Sequence, residues 1–323
     1  MKHFRPRLSR RAFWVLCALL VCLRLALTGF QQAYIWVGGA PLDDELMFRA
    51  ANHITAGQWL GAYDYLTLSK AMFFPVWLAL LHALHLPYLI SGAALWCGAA
   101  LLATFAFSTL WRKKDPAQGR VLTLSLFAVL AFLPSSWAAY TLRVYRDNIF
   151  PALCLYFLAG MAGMALRAVF TPEKPLWPWL AAAGAGLACG YLDREDAGLF
   201  LLPFAAAATV IVAVVLAGKC RWKALAAQVI PYVMLGVGVL TFCTLNYTHY
   251  GVFALSDFSE GSFAAAMGAM MRVDTDSDAP YLSVPADARA KIYDAVPELE
   301  PLAYWLEEDD QLQNDFRDPG LDD

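Results

Sequence analysis

From Phe13 to Tyr247 the chain alternates long apolar runs with short segments that hold nearly all of its charge. Seven runs stand out, at about 12–30, 88–111, 120–137, 148–168, 177–192, 199–217 and 224–247. A hydrocarbon layer of ~30 Å is crossed by about 20 apolar helical residues, and a helix satisfies its own backbone N–H and C=O groups there. A composition that is 60% hydrophobic exceeds what a soluble domain needs for its core. The expected fold is therefore an all-α polytopic membrane protein of about seven transmembrane helices. The first run is too long for a cleaved leader and no small-x-small site follows it, so it is expected to stay as a signal anchor.

Charge sets the expected orientation. Lys2, Arg5, Arg7, Arg10 and Arg11 precede the first run, and basic residues near a span favour the cytoplasmic side. With seven spans, fourteen Lys/Arg fall in cytoplasmic segments and five in external segments before the tail. The reading is an integral membrane protein of a cytoplasmic (inner) membrane, N-terminus inside and C-terminus outside. Phe73–Leu86 is apolar but short for a span, and if it crossed, Arg112, Lys113 and Lys114 would emerge outside. It is expected to lie as an interfacial helix in the first external loop, residues 31–87. His82 and His85 within it read as polar tips on one helical face. Arg24, inside span one, is expected to snorkel to the outer surface.

Two regions follow. Residues 1–247 form the membrane module, with 20 Lys/Arg against 10 Asp/Glu, and residues 248–323 form an acidic external segment with 4 against 17. This small polar C-terminal extension reads as an external domain, a disordered tail or a chain cut short, with short helices near 260–272 and 286–296. No basic run alternates with aromatics, which argues against nucleic acid as a partner. Seven cysteines in or beside apolar runs form no C-x-x-C pair and read as small buried hydrophobes. The N-Y-T sequence at Asn246 is a glycosylation motif at the membrane edge.

Three external segments gather nearly all the remaining charge outside the tail. They hold Asp43, Asp44, Glu45 and Lys70; then Arg143, Arg146 and Asp147; then Asp193, Arg194, Glu195 and Asp196. Charge at the hydrocarbon edge is a functional candidate because lipid excludes it unless paired or hydrated. A carboxylate there can take a proton from a hydroxyl or amine. Arg and Lys can neutralise a phosphate, Arg through its fork and Lys as a point charge. The plainer alternative is that Arg146 with Asp147, and Arg194 between Asp193 and Glu195, simply pair and anchor helix ends. Acid clusters also bind divalent metals through oxygen, but no spacing here defines a cage, so no cofactor or metal ligand is assigned.

Asp44-Glu45 directly after span one, with Phe48, Ala51, Gly57 and Trp59 following, resembles the GT-C membrane glycosyltransferases. The branch it is most similar to is the protein O-mannosyltransferase and aminoarabinose-transferase-like one. Lys70 stands where that family has a Lys-Pro-Pro-Leu-like segment leading into an interfacial helix, with AMFFP replacing the double proline. The resemblance covers about residues 10–200. It implies a seven-span module that moves a sugar from a polyprenyl phosphate to a lipid, glycan or protein acceptor outside the cytoplasm. It further implies that Asp44 is the base, with Asp43 as the other aspartate in reach, that Glu45 supports it, and that Lys70 holds the donor phosphate. Arg146 and Arg194 join the phosphate group by topology; Asp147, Glu195 and Asp196 complete the candidate site.

Two other readings stay open. A multi-pass transporter or permease would be expected to show matched Gly/Pro interruptions in paired spans, which are not seen here. A non-catalytic membrane scaffold would use the acidic tail to bind a partner and would leave Asp44 and Lys70 replaceable.

Overall fold

The structure, a computed structural model, describes residues 7–36, 38–111, 115–258, 261–277 and 282–309. The Arg112–Lys114 triplet used for orientation lies outside the described residues. The chain divides into two compact units, Met1–Ser256 and Asp257–Asp323.

In the first unit the helices run in order α1 (Arg10–Gly29), α2 (Pro41–Thr55), α3 (Phe73–Ala83), α4 (Tyr88–Ser108), α5 (Pro116–Ala131), α6 (Ala139–Leu142), α7 (Phe150–Phe170), α8 (Trp177–Asp193), α9 (Ala197–Gly218), α10 (Trp222–Ala227) and α11 (Val229–Tyr250). No strand forms among the described residues; one isolated parallel bridge joins Tyr34 and Arg143. Helix ends follow local chemistry. Ser9 accepts the Ala12 N–H and starts α1. Asp115 accepts from Ala117 and Gln118 ahead of Pro116 and starts α5, and Gly251 at φ 73° closes α11.

Among the described residues five helices are long and apolar enough to cross a membrane: Arg10–Gly29, Tyr88–Ser108, Arg146–Phe170, Ala197–Gly218 and Trp222–Tyr250. A bent pair makes up to six. The protein is thus a helical membrane protein. The expected straight run over 120–137 is interrupted: α5 stops at Ala131 and turns by 48° into Pro134–Leu142. Leu133 is extended because the ring of Pro134 disfavours helical backbone in the residue before it. The run expected over 177–192 forms α8, a helix of 17 residues.

α7 is the hub, packing against α4 and α8, while α8 packs against α11. Close approach of α7 and α8 depends on glycine. A Cβ at Gly186 would sit 2.5 Å from both Leu153 O and Phe157 N, and one at Gly160 would sit 2.6 Å from Ala183 N and Trp179 O. Phe157, Met161, Met164, Leu187 and Leu216 fill the core between these helices. By contrast α9 and α11 turn Leu199, Phe200, Ile211, Val214, Val233, Val237 and Leu240 outward. Large apolar faces of this kind are at home against lipid rather than water.

Arg24 does not snorkel. Its side chain is buried, donates to Ser136 O at 2.8 Å and Thr28 Oγ1 at 3.2 Å, and stacks over Trp137. It serves to hold the bent segment after α5 against α1. Of the cysteines, Cys17, Cys97 and Cys243 are buried as expected, while Cys22 and Cys220 are exposed. α3 forms where the short helix was expected, but it ends at Ala83; His85 lies beyond it at φ 54°, and its ring still meets that of His82 edge-on at 6.4 Å.

The second unit is helical over its described residues: α12 (Ser262–Met270), α13 (Ala286–Ala295) and α14 (Pro301–Ala303), followed by a π-turn at Tyr304–Glu308. Asp287 in the first turn of α13 accepts from Thr275 Oγ1 and Asp276 N–H, which hold its carboxyl down at about 2. Arg289 forks onto Glu307.

Candidate functional site

Loop one is placed by two backbone bonds. Tyr34 N–H donates to Leu142 O at 3.1 Å and Val144 N–H donates to Tyr34 O at 2.9 Å. This short ladder lays the chain entering α2 along the chain leaving α6. α2 begins at Pro41 and carries Asp43 and Asp44 in its first turn, where they meet Tyr145 and Arg143. The hydrophobic cluster beneath it is built from Leu46, Met47, Leu68, Phe74, Tyr145 and Ile149, so α2, the loop segment around Lys70 and the start of α7 share one floor.

Successive residues on a helix point about 100° apart, and Asp43 and Asp44 separate accordingly. Asp44 is buried; Arg143 Nε donates to its Oδ1 at 3.0 Å with a second contact from Nη2, and Trp36 N–H donates to Oδ2. Burial would weaken the Arg143 charge, but the Asp44 carboxylate more than offsets it and raises the guanidinium. Asp43, with 32% of its side chain exposed, receives the Tyr145 hydroxyl at 3.0 Å and lies 3.5 Å from Lys70 Nζ. Lys70, 29% exposed, lies 3.5 Å from Glu195 Oε1 as well. Arg146 completes the circuit with a fork onto Glu195 and a 2.7 Å bond to the Tyr145 oxygen. Asp43, Lys70, Glu195, Arg146 and Tyr145 are therefore linked in a closed ring drawn from all three charged segments.

Electrostatics in the ring follow from burial. Burial would raise the Glu195 carboxyl, but Arg146 and then Lys70 outweigh it and hold it below the usual carboxylate range. Burial pushes the Tyr145 hydroxyl up to about 12 against the opposing pull of Arg146, so it stays a donor to Asp43.

The remaining candidates sit beside the ring. Arg194 bridges Asp196, at 2.9 Å through both Nε and Nη2, to Asp147 at 3.1 Å, and lies over the Phe150 ring. The Arg194 bonds hold the Asp196 carboxyl below its usual range. Asp193 is fully buried and neither carboxylate oxygen has a hydrogen-bond partner among the described residues. Glu45 lies apart: its side chain is exposed and, among the described residues, reaches only Arg49, which forks onto Asp64. Among the described residues no group of three or more His, Cys, Asp or Glu is placed to hold a metal ion.

Tyr145 is the participant that the pattern of charges did not single out, and Arg143, which that pattern held, had no role assigned to it. Their signal was local: an extended R-V-Y-R puts Arg143 and Tyr145 on one side of the segment, as period-two alternation requires. Asn246, the glycosylation motif, is a structural residue instead. It is buried, donates to Ala254 O at 2.7 Å and accepts from Trp59 Nε1 at 2.9 Å, which ties α11 to loop one.

No protein family, curated protein or solved structure matches the chain.

Proposed function

We propose that the chain is a membrane glycosyltransferase that moves a sugar from a polyprenyl-phosphate donor to an acceptor outside the cytoplasm, with a loop-one aspartate as base. The observation that supports this most is the Asp43–Lys70–Glu195 contact. It sets an accessible carboxylate beside an accessible ammonium at one end of an apolar bundle. Both Lys70 contacts, at 3.5 Å, are longer than the ~2.8 Å of a charge-assisted hydrogen bond. The ammonium therefore keeps donors for an incoming phosphate.

In this reading Asp43 accepts the proton of the acceptor hydroxyl or amine as that atom bonds to the anomeric carbon. The carbon–oxygen bond to phosphate breaks, and the polyprenyl phosphate leaves with its added negative charge facing Lys70. Arg146, whose side chain is only 5% exposed, positions Glu195 and Tyr145 rather than meeting substrate. Asp44, committed to Arg143, holds the first turn of α2 in place. Asp43 rather than Asp44 is thus the preferred base.

The same reading takes α8 and the bent pair as spans, which makes seven, with the N-terminus inside. At 17 residues α8 is about 25 Å long, a little under the hydrocarbon thickness. Its burial against α7 and α11 lets it sit inside the bundle without meeting lipid along its whole length.

The test is sugar transfer by membranes carrying wild type, Asp43→Asn, Asp44→Asn or Lys70→Met, with a panel of radiolabelled polyprenyl-phosphate sugars and detergent stability measured in parallel. Transfer lost in Asp43→Asn with stability kept is the expected result. Wild-type transfer in both Asp43→Asn and Lys70→Met would overturn the proposal.

A further inference from the structure

A cavity lies at the opposite end of the bundle from the charged ring. α9 enters at Ala197 beside the charged ring and leaves at Gly218, so its last turn is at the far end. There the chain reverses into α10. Arg221 N–H donates to Leu216 O and Cys220 N–H to Ala217 O, both at 2.9 Å. This closure ordinarily puts glycine in the left-handed position, yet here Cys220 occupies it at φ 53°. A side chain resists that backbone, so the turn stores strain in setting the direction of Arg221.

The turn lines a cavity of about 450 Å³ with Arg221, Trp222, Lys223, Ala168, Leu176 and Ala224 among its walls. Among the described residues two cations line it and no carboxylate does. Arg221 Nε is buried and has no hydrogen-bond partner among the described residues. A wall that carries two cations favours an anion, which a guanidinium and an ammonium can both hold through charge-assisted hydrogen bonds. The rest of the wall is apolar, Trp222 is exposed, and α11 continues past it with Val229, Ile230 and Val233 turned outward. Tryptophan with an apolar face below it is the arrangement found at a membrane interface.

We infer that this cavity binds the phosphate head group of an anionic membrane lipid, with Arg221 and Lys223 on the phosphate and the acyl chains along α11. A basic pocket between helices at a membrane surface has the chemistry for such head groups. A free phosphate would use the two cations but not the apolar wall.

The test is native mass spectrometry of the full chain released from detergent, loaded with phosphatidylglycerol or with phosphatidylcholine of the same acyl chains. Wild type is expected to retain phosphatidylglycerol in preference. Arg221→Gln with Lys223→Gln is expected to weaken that binding about 30-fold, each charge near the surface being worth about fivefold. Lys219→Gln removes the same charge from the same turn without lining the cavity, and is expected to bind as wild type. Equal retention of the two lipids by wild type would overturn the proposal without reference to any variant. So would an equal loss in Lys219→Gln, which would mean that only general surface charge matters. Displacement of phosphatidylglycerol by inorganic phosphate at equal concentration would also overturn it, in favour of a soluble anion.

Discussion

Arg143 and Asp44 form a buried fork that joins the start of α2 to the chain ahead of α7. Their side chains are 11% and 2% exposed, and Nε meets Oδ1 at 3.0 Å. Removing either partner leaves the other charged and shut away from water, which costs about 3–5 kcal/mol for a buried pair. Asp44→Asn and Arg143→Ala should therefore each lower unfolding stability in detergent by roughly that much. The Asp44→Asn/Arg143→Ala double variant should lose less than the sum of the two. A double-mutant cycle by chemical denaturation checks this, and simple additivity would remove the fork from the account.

Asn246 should stay unmodified even where a glycosylation machinery meets it. Its amide is buried and already bonded to Ala254 O, so the nitrogen that would carry a glycan is engaged. Expression in a eukaryotic host followed by glycosidase treatment should give no mobility shift. Asn246→Ala should cost about 1–3 kcal/mol, because Trp59 Nε1 and Ala254 O both lose their partner. Faster proteolysis of residues 57–72 would be its local sign.

Acid should weaken the ring through Glu195. Its folded pKa lies below the unfolded value, so the unfolded chain binds the extra proton in the window between the two. The contribution is fully present above the ordinary glutamate range, about pH 4–5, and is lost as pH falls through the depressed value. Stability measured downward from pH 6 should therefore fall less steeply in Glu195→Gln than in wild type. Parallel curves would show that Arg146 holds the carboxylate no better than water does.

Gly186→Val should be among the most damaging single changes in the bundle. The added Cβ would meet backbone atoms of α7, Leu153 O and Phe157 N, at 2.5 Å, and backbone cannot swing aside as a side chain can. Overpacking of this kind costs about 1–3 kcal/mol or more. Loss of detergent stability in Gly186→Val with near-normal stability in Gly236→Val, where nothing lies within 4 Å, would match the packing seen here.

The helices were largely legible beforehand because hydrocarbon imposes length and apolarity on every segment that meets it. The short helix at Phe73–Ala83 was legible from length and charge together. The break at Leu133 had a local cause, Pro134, which a long apolar run conceals. Arg24 was misread because its partners, Ser136 and Trp137, lie more than a hundred positions away and only the turn of 48° brings them to it.

For the candidate site, the sequence by itself determined which charges stand at the ends of apolar helices, since lipid leaves them nowhere else to go. It could not rank Asp43 against Asp44. Two neighbours on a helix share composition and location and differ only by a rotation of about 100°. In the assembled bundle Tyr34 bonds to Leu142 and Val144 ahead of α2, and the helix turns Asp44 onto Arg143 and Asp43 toward Lys70. Hydrogen bonds across so long a separation depend on the assembled bundle, so only the tertiary structure could divide the buried aspartate from the accessible one.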